Sequence, residues 1–330
     1  MSKLLSSFPK VSLGFFPTPL TRLERLESKL GGPEIYIKRD DLTGLAFGGN
    51  KTRKLEYLVG EAIWGGHDTI ITAGAAQSNH CRQTAAAAAM CGLECHLILG
   101  GAEPKTRDGN LLLDDLVGAK IHWNVNRKGD DLEVLAKRLR AQGKDPYVIP
   151  YGGSNAIGAL GYVNAARELK HQMLLQEIKF THVVIASSSG GTHAGLTVGK
   201  TLYGIDLEII GIEIDKSGPD ELPFHERVLR CTNDTAKLLE LNKKFRANDL
   251  HFENGYLGGG YGVVGNLERN AIRTLARLEG ILVDPVYTGR AFGAMIDMIK
   301  NDKFSKNDKV LFWHTGGGPA LFPYASDILK

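Results

Sequence analysis

Short β-branched runs alternate with helical stretches along this chain, and several of the runs give way to loops of glycine and small residues. A strand followed by a helix, repeated many times, folds as an α/β protein around a mostly parallel sheet. The pattern predicts strands over 34–38, 69–73, 94–99, 147–149, 181–186, 208–214 and 309–313, with helices over 52–64, 81–91, 130–142, 156–176, 192–202 and 265–279. The runs near Ile70, Leu97 and Val184 are apolar throughout, as expected of strands covered on both faces.

Composition narrows the function classes. A length of 330 residues suits two domains or one large one, and 43% hydrophobic residues exclude a disordered chain. Forty Lys+Arg stand against 37 Asp+Glu, and no basic block interrupts that balance, so neither nucleic acid nor an anionic membrane is an expected partner. No run of ~18 apolar residues is present to span a membrane. The opening MSKLLSSFPKVSLGFF lacks both a long apolar run and a small-residue cleavage site. The cysteines, Cys81, Cys91, Cys95 and Cys231, lack paired metal-ligand spacing. They read as small hydrophobes in a reducing cytoplasm, and no metal is expected. Loop-like stretches at 40–50 and 152–154 frame the βα units between them. This predicts a smaller domain over 52–151, inserted in a larger one built from 1–51 and 152–330.

Three strand–loop–helix junctions could carry chemistry. In Gly48-Gly49-Asn50-Lys51-Thr52-Arg53-Lys54, Lys51 falls at a helix start, whose partial positive charge disfavours an ammonium ion. Burial would lower its pKa further and make it a nucleophile able to form a Schiff base, whereas spacing alone favours two surface lysines on a first turn. In Gln77-Ser78-Asn79-His80, hydroxyl and amide groups at a helix start suit a carboxylate, although helix capping alone explains Ser78 and Asn79. His80 beside Cys81 does not make a nucleophile–base pair, because helix neighbours in sequence do not face each other. Ser187-Ser188-Ser189-Gly190-Gly191-Thr192 has what a phosphate cup requires and lacks a Walker pattern. By contrast, the G-x-G-x-x-G string at Gly260–Gly265 follows a polar, glycine-rich stretch with no strand, so it reads as a chance match. The glycines after His314-Thr315 suit backbone bordering a flat ligand. A phosphate cup, a low-pKa lysine and a carboxylate site together fit a pyridoxal phosphate enzyme acting on an amino acid.

The strings IKRDDLTGLAFGGNKTRKLEYL and AGAAQSNHCRQTAAAAA, with PTPL, SSGGTHAGL, VDPVYTGRAFGAM and HTGGGPALF in order around them, resemble a known family. They are similar to the pyridoxal phosphate enzymes of the tryptophan synthase β-like fold, in the group that holds D-cysteine desulfhydrase and aminocyclopropane carboxylate deaminase. The resemblance implies a two-domain α/β fold of open, mostly parallel sheets with helices on both faces, and a homodimer. It further implies that Lys51 is the Schiff-base lysine and Asn79 holds the cofactor's ring hydroxyl. Ser189, Gly190, Gly191 and Thr192, helped by Lys54, would cup the phosphate. Gln77 and Ser78 would hold the substrate carboxylate, Tyr287 would lie against the cofactor ring and Tyr261 would approach the substrate.

Deaminases of the group carry Glu directly after the motif tyrosine and Leu before the final glycines. Here those positions are Thr288 and Thr315, and the resemblance then implies that Thr288 lies on the substrate side and that Thr315 would face the pyridine nitrogen. A hydroxyl there leaves the ring a weaker electron sink, which β-elimination tolerates because the leaving group takes up the charge. The implied reaction is α,β-elimination of D-cysteine to pyruvate, hydrogen sulfide and ammonia. The alternatives are an aminocyclopropane carboxylate deaminase, a lyase for another β-substituted amino acid such as cysteate, and a non-catalytic binder of pyridoxal phosphate.

Overall fold

The computed structural model describes residues 5–124, 131–215 and 222–330; Asp130, the first residue of one expected helix, lies outside them. In chain order the strands are β1 (Leu20–Arg22), β2 (Glu34–Arg39), β3 (Thr69–Ala75), β4 (Glu94–Gly100), β5 (Lys120–Asn124), β6 (Pro146–Val148), β7 (His182–Ser187), β8 (Glu208–Glu213), β9 (His251–Glu253) and β10 (Lys309–His314). The helices are α1 (Glu24–Leu30), α2 (Lys51–Trp64), α3 (Asn79–Met90), α4 (Gly109–Leu116), α5 (Asp131–Ala141), α6 (Ala156–Leu175), α7 (Gly191–Leu202), α8 (Phe224–Leu238), α9 (Asn266–Glu279), α10 (Thr288–Lys300) and α11 (Ala325–Leu329).

Two sheets form. One has six strands in the order β1-β2-β10-β7-β8-β9, and the other has four in the order β5-β4-β3-β6. Only the β1–β2 pairing is antiparallel. Alternate residues of the central strands feed two separate cores. Val310 and Phe312 of β10 join Val184 and the apolar face of α10, including Phe292 and Met295. Their neighbours Leu311 and Trp313 pack on the opposite face with Val183, Ile185 and Tyr162 of α6. Both faces are therefore covered, which explains the unbroken apolar runs. The smaller sheet repeats the device: Ile70 and Leu97 pack with Leu55 and Leu58 of α2 and Ala85 of α3, while Ile71 and Ile98 meet Leu135 and Leu139 of α5.

Helix α2 is locked between the layers. At Gly161 of α6 a Cβ would come 2.2 Å from the Arg53 carbonyl oxygen, so only glycine lets the two helices approach this closely. Arg53 is buried and donates from Nε and Nη2 to the Asp40 carboxylate at 2.9 and 2.8 Å, and from Nη1 to Glu168 at 2.9 Å. Asp40 also accepts from Tyr162 at 2.6 Å, Trp313 at 2.8 Å and Thr18 at 2.9 Å. Burial alone would push the Asp40 carboxyl up; Arg53 and Lys38 overcome it and hold the group at about 2. One buried and one partly buried acid therefore face two buried bases, since Lys38 donates to Glu168 at 2.5 Å. Arg53→Met breaks this balance and leaves carboxylate charge uncompensated in the interior. The expected loss is about 3–5 kcal/mol of unfolding free energy, read by urea denaturation; a loss below ~1 kcal/mol, the size of a surface ion pair, would contradict it.

Candidate active site

Parallel sheets present binding groups where the chain leaves the carboxyl ends of their strands. Here β7 runs into Ser188–Gly190, β10 into Thr315–Gly316 and β3 into the start of α3, while the chain leaving β2 folds back to begin α2. These segments border a cavity lined among others by Asn50, Lys51, Ser78, Asn79, His80, Tyr151, Ser189, Thr192, Tyr287 and Thr315. None of the described lining residues is acidic.

Lys51 is the first residue of α2 and opens into this cavity. Its loop is fixed on both sides: Gly49 N–H donates to Asp40 O at 3.0 Å, and Asn50 N–H donates to Thr315 O at 2.9 Å. Asn50 Nδ2 also donates to Thr192 Oγ1 at 3.1 Å, which ties the loop to α7. Burial lowers the Lys51 amine to about 8, with the contact to Lys54 opposing that shift. Lys54, one turn on, donates to Gly152 O and Ser154 Oγ at 3.0 Å each. Burial, and then the charge of Lys51, push its amine well below the ordinary lysine value.

The Ser189–Thr192 segment borders the cavity at the start of α7. Gly190 has φ +89, a left-handed conformation that glycine adopts without strain, and α7 begins at the next residue. Ser189 Oγ lies 2.8 Å from Ser154 Oγ, which accepts from Gly191 N–H at 3.1 Å. A Cβ on Gly191 would come 2.9 Å from Lys54 Nζ, so the lysine lies hard against the helix start. Here two buried amines and a helix N-terminus converge, and among the described residues no carboxylate hydrogen-bonds to either amine. A phosphate dianion supplies the missing charge. The residues therefore fit pyridoxal phosphate.

The remaining candidates divide. Ser78 caps α3, accepting from Cys81 N–H at 3.2 Å, and Asn79 Oδ1 accepts from Asn110 Nδ2 at 2.9 Å; both line the cavity. Tyr287 lines it too, and its hydroxyl lies 2.5 Å from that of Tyr261, which stands behind it. Two expectations are corrected. Gln77 is not a lining residue; its side chain bridges Asp108 O at 3.1 Å and Asn110 N–H at 2.9 Å, holding the start of α4. Thr288 is fully buried behind the cavity wall, its hydroxyl donating to Asp284 Oδ1 at 2.6 Å and accepting from Asp284 N–H at 2.9 Å. Asp284 in turn accepts from the N–H groups of Val286 and Tyr287, so Thr288 braces the turn that presents Tyr287.

The sequence reading passed over four residues here. Asn50 and Tyr151 line the cavity. His80 lines it as well and is held neutral by burial, with Lys51 and Lys54 acting the same way. Thr72 Oγ1 gives its one proton to Ile149 O, so His80 Nε2–H is the donor in their 2.8 Å contact. Gln83 Oε1 accepts from Thr52 N–H at 2.9 Å and satisfies one of the open donors in the first turn of α2. Side chains that act from another element carry no local spacing signal. Cys81 is buried, and burial pushes its thiol far up. Among the described residues no group of acidic, histidine or cysteine side chains could hold a metal. The G-x-G-x-x-G string forms turns before α9 with no strand entering it.

A family model described as a pyridoxal-phosphate dependent enzyme matches residues 11–316. The chain belongs to that family. It is 46% identical over 327 residues to proteins named D-cysteine desulfhydrase from Klebsiella pneumoniae (strain 342) and Salmonella choleraesuis (strain SC-B67), covering 97% of each chain in both cases. A crystal structure titled as that of an ACC deaminase homologue superposes with a TM-score of 0.90 at 38% identity, covering 98% of this chain and 97% of the other. The two-sheet α/β architecture is thus that of the tryptophan synthase β-like enzymes, and pyridoxal phosphate is the family's cofactor.

An amine lowered to about 8 has a direct signature. In protein stripped of pyridoxal phosphate, acetylation of Lys51, followed by peptide mass spectrometry, should rise and level off as pH passes through about 8. A midpoint at the ordinary lysine value of ~10.4 would contradict the burial argument.

Proposed function

We propose that this chain is a carbon–sulfur lyase that eliminates D-cysteine to pyruvate, hydrogen sulfide and ammonia. The observation that carries the reading is a cavity with a low-pKa lysine and no acidic lining residue, in a chain 46% identical to relatives named for this activity. Bound pyridoxal phosphate acts as the electron sink for the substrate's α-carbon. The chain's own residues do the rest. Lys51 Nζ would tether the cofactor, and its amine would accept the substrate's Cα proton, a task suited to an amine poised near the working pH. Departure of the sulfur from Cβ as hydrosulfide and addition of water then leave pyruvate and ammonia. Ser78, at the start of α3, orients the substrate carboxylate. Asn79 holds the ring hydroxyl, and Ser189, Gly190, Gly191 and Thr192 hold the phosphate with Lys54 behind them. Tyr287 lies against the ring, and Tyr261 acts through its hydroxyl contact with Tyr287.

Thr315 lines the cavity beside Gly316, and we assign it to the pyridine nitrogen. A hydroxyl does not keep that nitrogen protonated as a carboxylate does, which favours elimination of a good leaving group over ring opening. Thr288 serves this reaction by holding Asp284 and hence Tyr287, not by touching substrate. We further propose that 52–151 forms a smaller domain inserted in the rest, that the enzyme is a homodimer, and that it works in the cytoplasm. The cysteines are all free, and no described helix is long and apolar enough to cross a membrane.

Purified protein given D-cysteine and aminocyclopropane carboxylate together should form pyruvate alone, identified by mass spectrometry, and Lys51→Ala should form none. 2-Oxobutyrate would mean ring opening and overturn the Thr315 argument. The absence of both keto acids would overturn the substrate assignment.

A further inference from the structure

Arg82 and Gln83 lie on α3, whose first residues form one wall of the cavity, yet both point at the loop that carries Lys51. Arg82 is fully buried and donates from Nη1 to Ala46 O at 2.6 Å and from Nη2 to Gly48 O at 2.9 Å. The loop it grips is strained. Ala46 has φ 41 and Phe47 has φ 68, left-handed conformations that a residue with a Cβ resists. Neither residue has a local side-chain group that rewards the conformation, and Phe47 projects into solvent at 70% exposure. Gln83 completes the hold by accepting from Thr52 N–H, on the other side of Lys51. Behind Arg82 sits Asp114 of α4, fully buried, with neither carboxylate oxygen hydrogen-bonded among the described residues. Burial raises the Asp114 carboxyl, and the Arg82 charge opposes that shift.

We propose that Arg82 is a positioning residue: its guanidinium clamps the left-handed 45–48 turn, fixing Lys51 to the Ser78–His80 wall as one rigid body. This rests on the assignment of Lys51 as the reacting amine. The clamp makes a lysine on one segment and substrate-facing groups on another keep a constant separation, and a displacement of about 1 Å there costs on the order of 100-fold in turnover. The carbonyls of Ala46 and Gly48 are two residues apart and need the planar two-donor fork of arginine; a lysine offers only a point charge.

The test compares the holoenzyme with Arg82→Gln/Asp114→Asn, which removes the buried guanidinium and replaces the Asp114 carboxyl by its neutral isostere, by hydrogen–deuterium exchange of the peptide spanning 43–53. That peptide holds the bonded N–H groups of Gly49, Asn50 and Thr52. The double variant should exchange this peptide at least about tenfold faster. It should lose about 100-fold in kcat with a smaller change in KM. Adding Ala46→Gly, which removes the left-handed strain, should return about tenfold of the exchange protection. Exchange equal to the starting enzyme, or acceleration that Ala46→Gly does not lessen, would overturn the clamp. Should the double variant fail to fold, Arg82→Lys keeps the positive charge but loses the fork. It should show the same fast peptide, and exchange equal to the starting enzyme would again overturn the clamp. Exchange needs no substrate, so a protein inert toward D-cysteine with these exchange rates would sink the substrate assignment and leave the clamp standing.

Discussion

The buried carboxylate of Asp40 is the interaction on which the site depends. It gathers donors from four places: Thr18 before β1, Arg53 of α2, Tyr162 of α6 and Trp313 of β10. Its own backbone carbonyl accepts from Gly49 N–H, two residues before Lys51. A single ionised group thus registers the large sheet, the helix that starts with Lys51 and the loop between them. An ion in such a place must be fully hydrogen-bonded to be tolerated, and a fully satisfied buried network specifies one arrangement. Rigidity in this region follows from electrostatics more than from apolar packing.

From that anchor the chemistry is a matter of charge balance. Lys51 and Lys54 sit side by side at the mouth of α7, and among the described residues no carboxylate is hydrogen-bonded to either. Such a pair stays partly deprotonated until an anion arrives, and a phosphate at the Ser189–Thr192 turn would hold the Lys54 proton while leaving Lys51 free to react. His80 adds no charge, because burial and the two lysines keep it neutral. The same absence of acidic lining extends to Thr315, so the electronics that separate elimination from ring opening are set by what the cavity omits as much as by what it contains.

Much of this architecture is legible in the sequence, and the omissions share a cause. The seven expected strands all exist, shifted by no more than two residues at any end. The three unforeseen ones, β1, β5 and β9, are all sheet edges. Edge strands are short and half-wet, so Lys120, His122 and Asn124 of β5 show no apolar run to read. Helix α10 does carry an apolar side, with Phe292, Met295 and Ile299 in the core, but Gly289 and Gly293 break its helical signal. At the site, residues on strand–helix junctions, such as Lys51, Ser78, Asn79 and Ser189, could be read from local chemistry. Gln77 and Thr288 could not, because their direction is set by Asn110 and Asp284, which are distant in sequence or silent in the pattern. Arg82 and Gln83 look like ordinary polar helix residues until the fold brings the Lys51 loop against them.

The central claim is that Lys51, and not the adjacent Lys54, bears the cofactor. Borohydride reduction of the purified enzyme, followed by digestion and peptide mass spectrometry, tests it most directly. The account predicts one equivalent of the reduced pyridoxal phosphate adduct, confined to Lys51. An adduct on Lys54, or none on either lysine, would contradict it.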